Sequence, residues 1–158
     1  MTIRKLIFSF LAVFILLIQT DHCYAQEKIR SALLEGVNKL RADGCKCGDK
    51  NMPAVPKVKW NDKLEKAAAL HANDMLNKSY FSHIGFDKSE PGDRATQSGY
   101  KWSAIGENIA KGHKTVGDVI IGWIKSPAHC RNMMDPEFTE IGATRKDPYW
   151  VLIFGDSL

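Results

Sequence analysis

Ile141-Gly142-Ala143-Thr144-Arg145-Lys146-Asp147-Pro148-Tyr149-Trp150-Val151-Leu152-Ile153-Phe154 is the stretch that decides the fold class. Tyr149–Phe154 is rich in aromatic and β-branched residues and reads as a buried strand. Ile141–Arg145 reads as a second strand, with the turn at Lys146-Asp147-Pro148. The two pair naturally as an antiparallel hairpin around so short a turn. A third, partly apolar strand segment lies upstream at Ile105–Ala110.

Everything before these strands is helical or irregular. Ile29, Leu33, Val37 and Leu40 recur at spacings of four, four and three, which predicts a helix over 27–42 stopped by Gly44. Gly48, Pro53 and Pro56 mark 45–58 as loop. A second helix is expected from Asn61 to Lys78, with Leu64, Ala68, His71 and Met75 on one stripe. Residues 79–103 carry Gly85, Pro91, Gly92 and Gly99 and read as loop, with at most a short helix near Asp93–Ser98. A third helix starts at Thr115, where Thr115 and Asp118 resemble a capping box. Val116, Val119, Ile120, Trp123 and Ile124 form its buried face, and Pro127 ends it. Helices first and strands last argue for an α+β fold rather than alternating βαβ units.

The N-terminus reads as an export signal over residues 1–25. Arg4 and Lys5 precede an apolar run, Leu6–Ile18, that is too short to cross a bilayer comfortably. Cys23-Tyr24-Ala25 offers small residues for cleavage after Ala25, leaving one domain over 26–158. A lipoprotein anchored through Cys23 is the rival reading, but Thr20-Asp21-His22 does not suit it. The mature chain is expected to be secreted or periplasmic, with no transmembrane segment. It would carry 20 Lys+Arg against 17 Asp+Glu, a net charge of +3. With no basic stripe or interleaved aromatics, nucleic acid is not an expected partner.

Three cysteines remain after cleavage: Cys45, Cys47 and Cys130. A bond between Cys45 and Cys47 would be strained. A bond from either to Cys130 closes a loop worth about 4 kcal/mol in the chain-entropy model. Cys47 is favoured for its place beside the turn at Gly48, with Cys45 as the alternative. A zinc site is the other use of such a set, but Cys-x-Cys lacks the usual two-to-four-residue spacing.

Four titratable residues stand beside turns or element ends: His83, Glu107, His129 and Glu140. Two imidazoles and a carboxylate can hold zinc with a position open to water. The same four can instead be a polar network that locks loops together. Their gaps of 24, 22 and 11 residues match no local metal motif. His71, on a helix stripe, reads as a core residue hydrogen-bonded to backbone, and His113 as solvated. The four tryptophans read as core pieces. The chain has no Gly-x-Ser-x-Gly elbow, Walker pattern or Gly-x-Gly-x-x-Gly loop.

Read in order, these pieces resemble a known family. They include Trp60-Asn61-Asp62-Lys63-Leu64, His71 within Ala67–Met75, Phe81-Ser82-His83, Gly106-Glu107-Asn108-Ile109-Ala110, Trp123 to His129 with Ser126-Pro127, and Phe138-Thr139-Glu140-Ile141-Gly142. The set is similar to the CAP superfamily of cysteine-rich secretory proteins, antigen 5 and pathogenesis-related proteins, in its bacterial SCP-like form. The resemblance covers nearly all of 28–155. It implies an α-β-α sandwich with a small antiparallel sheet between helical layers, and a cleft holding two His and two Glu. His83, Glu107 and His129 match the family positions. Ser126 stands where the eukaryotic relatives carry a second Glu, and Glu140 is the carboxylate of the bacterial form. Family members have been linked to metal binding, lipid and sterol binding, signalling and occasional proteolysis, with no common reaction.

The expectation is therefore a non-enzymatic binding module whose cleft takes a divalent cation such as zinc on His83 and His129. The alternatives are a metal-dependent hydrolase with Glu107 or Glu140 as base, and a lipid-binding module. Its ligand could be a small molecule, a lipid or an extracellular protein. Oxidised mature protein should contain one bond from Cys130 to Cys47 or Cys45, and one free thiol. Mass spectrometry of an unreduced digest checks this; three free thiols or a Cys45–Cys47 bond would contradict it.

Overall fold

The computed structural model describes residues 26–158, so the export segment over 1–25 lies outside the described residues. The first helix, α1, covers 26–43, with Leu33 and Val37 fully buried. It stops at Gly44, whose φ of +70° is one a side chain would strain, and a Cβ there would stand 2.9 Å from the Met52 carbonyl oxygen. The segment expected to be loop then forms a small hairpin. β1 (Cys45–Cys47) pairs antiparallel with β2 (Lys50–Met52) around Gly48, also at positive φ. Such three-residue strands show no alternating pattern long enough to read.

β3 (Lys59–Trp60) leads into α2 (Asp62–Lys78). Asn61 caps α2, its side-chain oxygen accepting from the Lys63 and Leu64 amides. α3 (Pro91–Gln97) starts with proline at its first position behind a Glu90–Asp93 capping box. β4 spans Trp102–Lys111, longer than the expected Ile105–Ala110, and Glu107 lies in mid-strand. α4 (Val116–Lys125) has the expected Thr115–Asp118 box, each side chain accepting from the other residue's amide.

Pro127 ends α4 as expected but also opens a new helix, α5 (Pro127–Met133). The pyrrolidine ring suits a first turn, where its missing N–H is not needed. His129 therefore sits within a helix of its own rather than beside the end of α4. β5 (Glu140–Lys146) and β6 (Tyr149–Ser157) form the expected antiparallel hairpin.

The sheet order is β3-β5-β6-β4, with β3 parallel to β5 and β4 antiparallel to β6. Side chains alternate across it. Tyr149, Val151 and Ile153 face α2 and α3 with Ile109, against Leu64, Ala68, Ala72, Met75 and Ala95. Trp150, Leu152 and Phe154 face the other helical layer, against Leu33, Val37, Val119, Trp123 and Met133. Burial on both faces explains why Tyr149–Phe154 reads as a continuous apolar run. The result is an α-β-α sandwich. No helix among the described residues is long and apolar enough to cross a membrane.

Two buried devices tie the ends together. Arg41 is fully buried and donates to the carbonyls of Pro56, Met133, Asp135 and Phe138. It clamps α1 to the segment following α5. Cys47 is bonded to Cys130, joining β1 to α5, and Cys45 keeps a free thiol that burial pushes up in pKa.

Trp123 is 1% exposed and donates its indole N–H to the Ile109 carbonyl at 3.3 Å. Trp123→Ala should cost about 3–5 kcal/mol, the usual range for truncating a buried aromatic. A denaturant melt showing a loss below about 1 kcal/mol would mean that this face is not central to the core.

Candidate functional site

β4 is an edge strand, and its consecutive residues serve opposite sides of the sheet. Glu107 faces the α2–α3 side, opposite Ile153. Its side chain is 1% exposed, so its carboxylate must find partners within the protein. Oε1 pairs with His83 Nδ1 at 2.7 Å, and Oε2 accepts from Arg94 Nη2 at 2.8 Å. Arg94 also donates to the His83 carbonyl at 3.0 Å and the Ser89 carbonyl at 2.8 Å. One buried cation thus pins the loop at His83 itself and again at Ser89, just before α3.

Asn108, the next residue, faces the other side. Its Nδ2 donates to the His129 carbonyl at 3.0 Å. Asn132 donates in turn to Asn108 Oδ1 at 2.9 Å and to the Glu107 carbonyl at 3.2 Å. These bonds dock α5 on the strand and bring His129 beside His83. The His83 and His129 rings end with centroids 6.5 Å apart, tilted by 50°. Burial holds the His129 pKa below its ordinary value, and the neighbouring His83 adds to this. A cleft of about 330 Å³ opens beside His83, lined also by Glu90, Asp93, Trp102, Ile105 and Glu107.

The structure therefore brings His83, Glu107 and His129 together. Glu140 lies elsewhere on the same face of the sheet. Its Oε1 accepts from Asn61 at 3.0 Å and its Oε2 from the Tyr100 hydroxyl at 2.7 Å, which locks the α2 cap to the start of β4. Burial and this carboxylate push the Tyr100 pKa well up.

Two neighbours escaped the sequence reading. Arg94 is one, and only the need of a buried carboxylate for a countercharge could have pointed to it. His71 is the other. It is buried, as its helix stripe predicts, with Nε2 2.7 Å from the Ser82 carbonyl, but Nε2 also stands 3.9 Å from Glu107 Oε1. Its Nδ1 is buried without a hydrogen-bond partner.

With His83 Nδ1 held by Glu107, Nε2 is the ring atom left for a ligand. A carboxylate behind one imidazole is the usual support for a metal-binding His. Two imidazoles make an incomplete set for a tightly held ion, so water or a bound ligand would supply the remaining positions.

Burial lowers the His71 pKa, Glu107 opposes that shift, and Arg94 adds to it. The unfolded chain takes up a proton near pH 6.5 that the folded protein takes up only at lower pH. Stability from this residue is complete above about pH 6.5 and falls as pH drops, because the unfolded state then binds more protons. The melting temperature should be lower at about pH 5.5 than at about pH 7.5, and His71→Gln should show a smaller drop. Equal drops by circular dichroism would contradict the assignment.

A family model described as the cysteine-rich secretory protein family, CAP, matches residues 34–149. The uncharacterized protein YkwD of Bacillus subtilis is 38% identical over 82 residues, 52% of this chain and 32% of that protein. The uncharacterized membrane protein YlbC of the same organism is 26% identical over 100 residues, 63% of this chain and 29% of that protein. The chain thus spans about a third of the length of these curated relatives. Among solved structures, an extracellular SCP-domain protein from Bacillus anthracis superposes with a TM-score of 0.75 at 23% identity, over 84% of this chain and 41% of that one. An outer surface protein from Borrelia burgdorferi gives 0.72 at 20% identity, over 83% of this chain and 94% of that one. These likenesses speak for the fold, and the family match over 34–149 shows that the chain belongs to the CAP family of cysteine-rich secretory proteins.

Proposed function

We propose that residues 1–25 direct export and that 26–158 act outside the cytoplasm as a binding module rather than an enzyme. His83 and His129 take a divalent cation, zinc being the natural choice for paired imidazoles, and Glu107 orients His83 from behind. The observation that carries this reading is the 2.7 Å pair between Glu107 Oε1 and His83 Nδ1 beside the second imidazole. The extracellular and outer-surface settings named for the structural neighbours support the export reading.

Carboxylate placement weighs for binding over hydrolysis. A metal hydrolase needs a carboxylate within reach of the metal-bound water. Both oxygens of Glu107 are engaged, by His83 and Arg94, and both of Glu140 by Asn61 and Tyr100. The loop holding His83 exposes Phe81, Ile84 and Phe86. A ligand that combines a metal-binding group with an apolar portion suits such a rim.

Calorimetry with Zn²⁺, under oxidising conditions, tests the reading. His83→Ala and His129→Ala should each weaken binding strongly. Glu107→Gln should cost about 10–100-fold, as for other partners of a metal-ligating His. Glu140→Gln should change little. Affinity should fall as pH drops, because only neutral imidazole ligates. Equal binding by the wild type and the His83→Ala, His129→Ala double variant would overturn the cation site and leave a purely structural network.

A further inference from the structure

Outside the Glu107 network, the β1–β2 hairpin and α5 bring three sulfurs to one corner of the fold. Cys47 and Cys130 are bonded and buried. The free Cys45 Sγ lies 3.7 Å from Cys47 Sγ and 3.6 Å from Cys130 Sγ. Leu40, Met52, Val55 and Met134 surround the group with apolar side chains. Cys45 is half-buried, so water reaches the sulfurs from its side.

These separations have a chemical meaning. A tetrahedral cation with metal–sulfur bonds of about 2.3 Å sets its sulfurs about 3.8 Å apart. Cys45 already stands close to that distance from both of the others. Only the third edge, Cys47 to Cys130, is closed, and it is closed by a covalent bond. Backbone order is in place on both sides: Cys45 and Cys47 are paired with Met52 and Lys50 in the hairpin, and Cys130 is within α5.

We propose that reduction of the Cys47–Cys130 bond converts this corner into a three-thiolate site for a thiophilic cation such as Zn²⁺ or Cd²⁺. The disulfide and the cation are then alternative closures of the same corner. A dithiol reductant supplies two electrons and two protons, breaks the sulfur–sulfur bond and becomes a disulfide itself. Cys47 and Cys130 are left as thiols beside Cys45. The cation binds all three sulfurs, their three protons pass to solvent, and water takes the fourth position. The Cys-x-Cys spacing gives no hint of this, because the third sulfur comes from 83 residues beyond Cys47. The site uses neither of the two imidazoles as a ligand.

The experiment is a Cd²⁺ titration in the His83→Ala, His129→Ala background, which removes the cleft as a competing site. Sulfur-to-cadmium charge-transfer absorption reports thiolate ligation, and circular dichroism follows the fold. Phosphine-reduced protein should take up about one equivalent with the charge-transfer band, and oxidised protein should show none. Adding Cys45→Ser, which leaves the disulfide pair intact, should weaken uptake by the reduced protein at least about tenfold. If reduction unfolds the chain, Cd²⁺ should restore the fold together with the band. The proposal is overturned by a reduced protein without the band, whether folded or not. A band of equal strength and affinity in the Cys45→Ser protein, or one in the oxidised protein, would also overturn it.

Discussion

The site and the loops around it depend on one buried charge, the Glu107 carboxylate. Taking a carboxylate out of water costs several kcal/mol unless partners replace the solvent. Glu107 sits on an edge strand and its side chain is 1% exposed, so those partners must come from other segments. Arg94 supplies a countercharge from α3, and His83 supplies a ring nitrogen from the loop after α2. Arg94 then needs acceptors of its own and finds them in the Ser89 and His83 carbonyls. The loop leaves Phe81, Ile84 and Phe86 exposed, so little apolar burial is available to hold it. Its position rests on these polar bonds together with the His71 Nε2 pair to the Ser82 carbonyl and the Phe86 amide's bond to Asp74.

Strand alternation lets one short segment serve both sides of the cleft. In Gly106-Glu107-Asn108-Ile109-Ala110, Glu107 and Ile109 point toward α2 and α3, while Asn108 and Ala110 point toward the other layer. Glu107 gathers the loop and α3. Asn108 gathers α5, with Asn132 donating to the Glu107 carbonyl. Gly106 leaves room for Phe138, where a Cβ would stand 2.7 Å from the ring. The two imidazoles meet because both elements are fastened to the same strand, each by hydrogen bonds that its neighbour does not share.

The far end of α5 is fastened differently. Cys130 follows His129 directly and is bonded to Cys47, while Arg41 donates to carbonyl oxygens at and just beyond the end of the helix. A seven-residue helix has little stability of its own. The asparagine bonds, the disulfide and the guanidinium together give it a fixed place. The sulfur corner and the imidazole cleft therefore share one short support.

Local patterns were enough to read much of this from the sequence. The spacing of Ile29, Leu33, Val37 and Leu40, the Thr115–Asp118 cap and the apolar run Tyr149–Phe154 each depend on neighbours within a few positions, and each element formed as read. The ordered motifs around Glu107 and His129 carried the family and, with it, the sandwich. What lay beyond the sequence was set by partners far away along the chain. The β1–β2 hairpin is too short to show a period, and α5 hides behind a proline that reads equally as a stop. Arg94 and His71 join Glu107 only once α2 and α3 are laid on the sheet. Glu140 was grouped with the imidazoles by residue type, and the tertiary structure gave it to Asn61 and Tyr100 instead. The physical reason is the same in each case: periodicity and capping are local, whereas the partner of a buried charge is chosen by packing between segments.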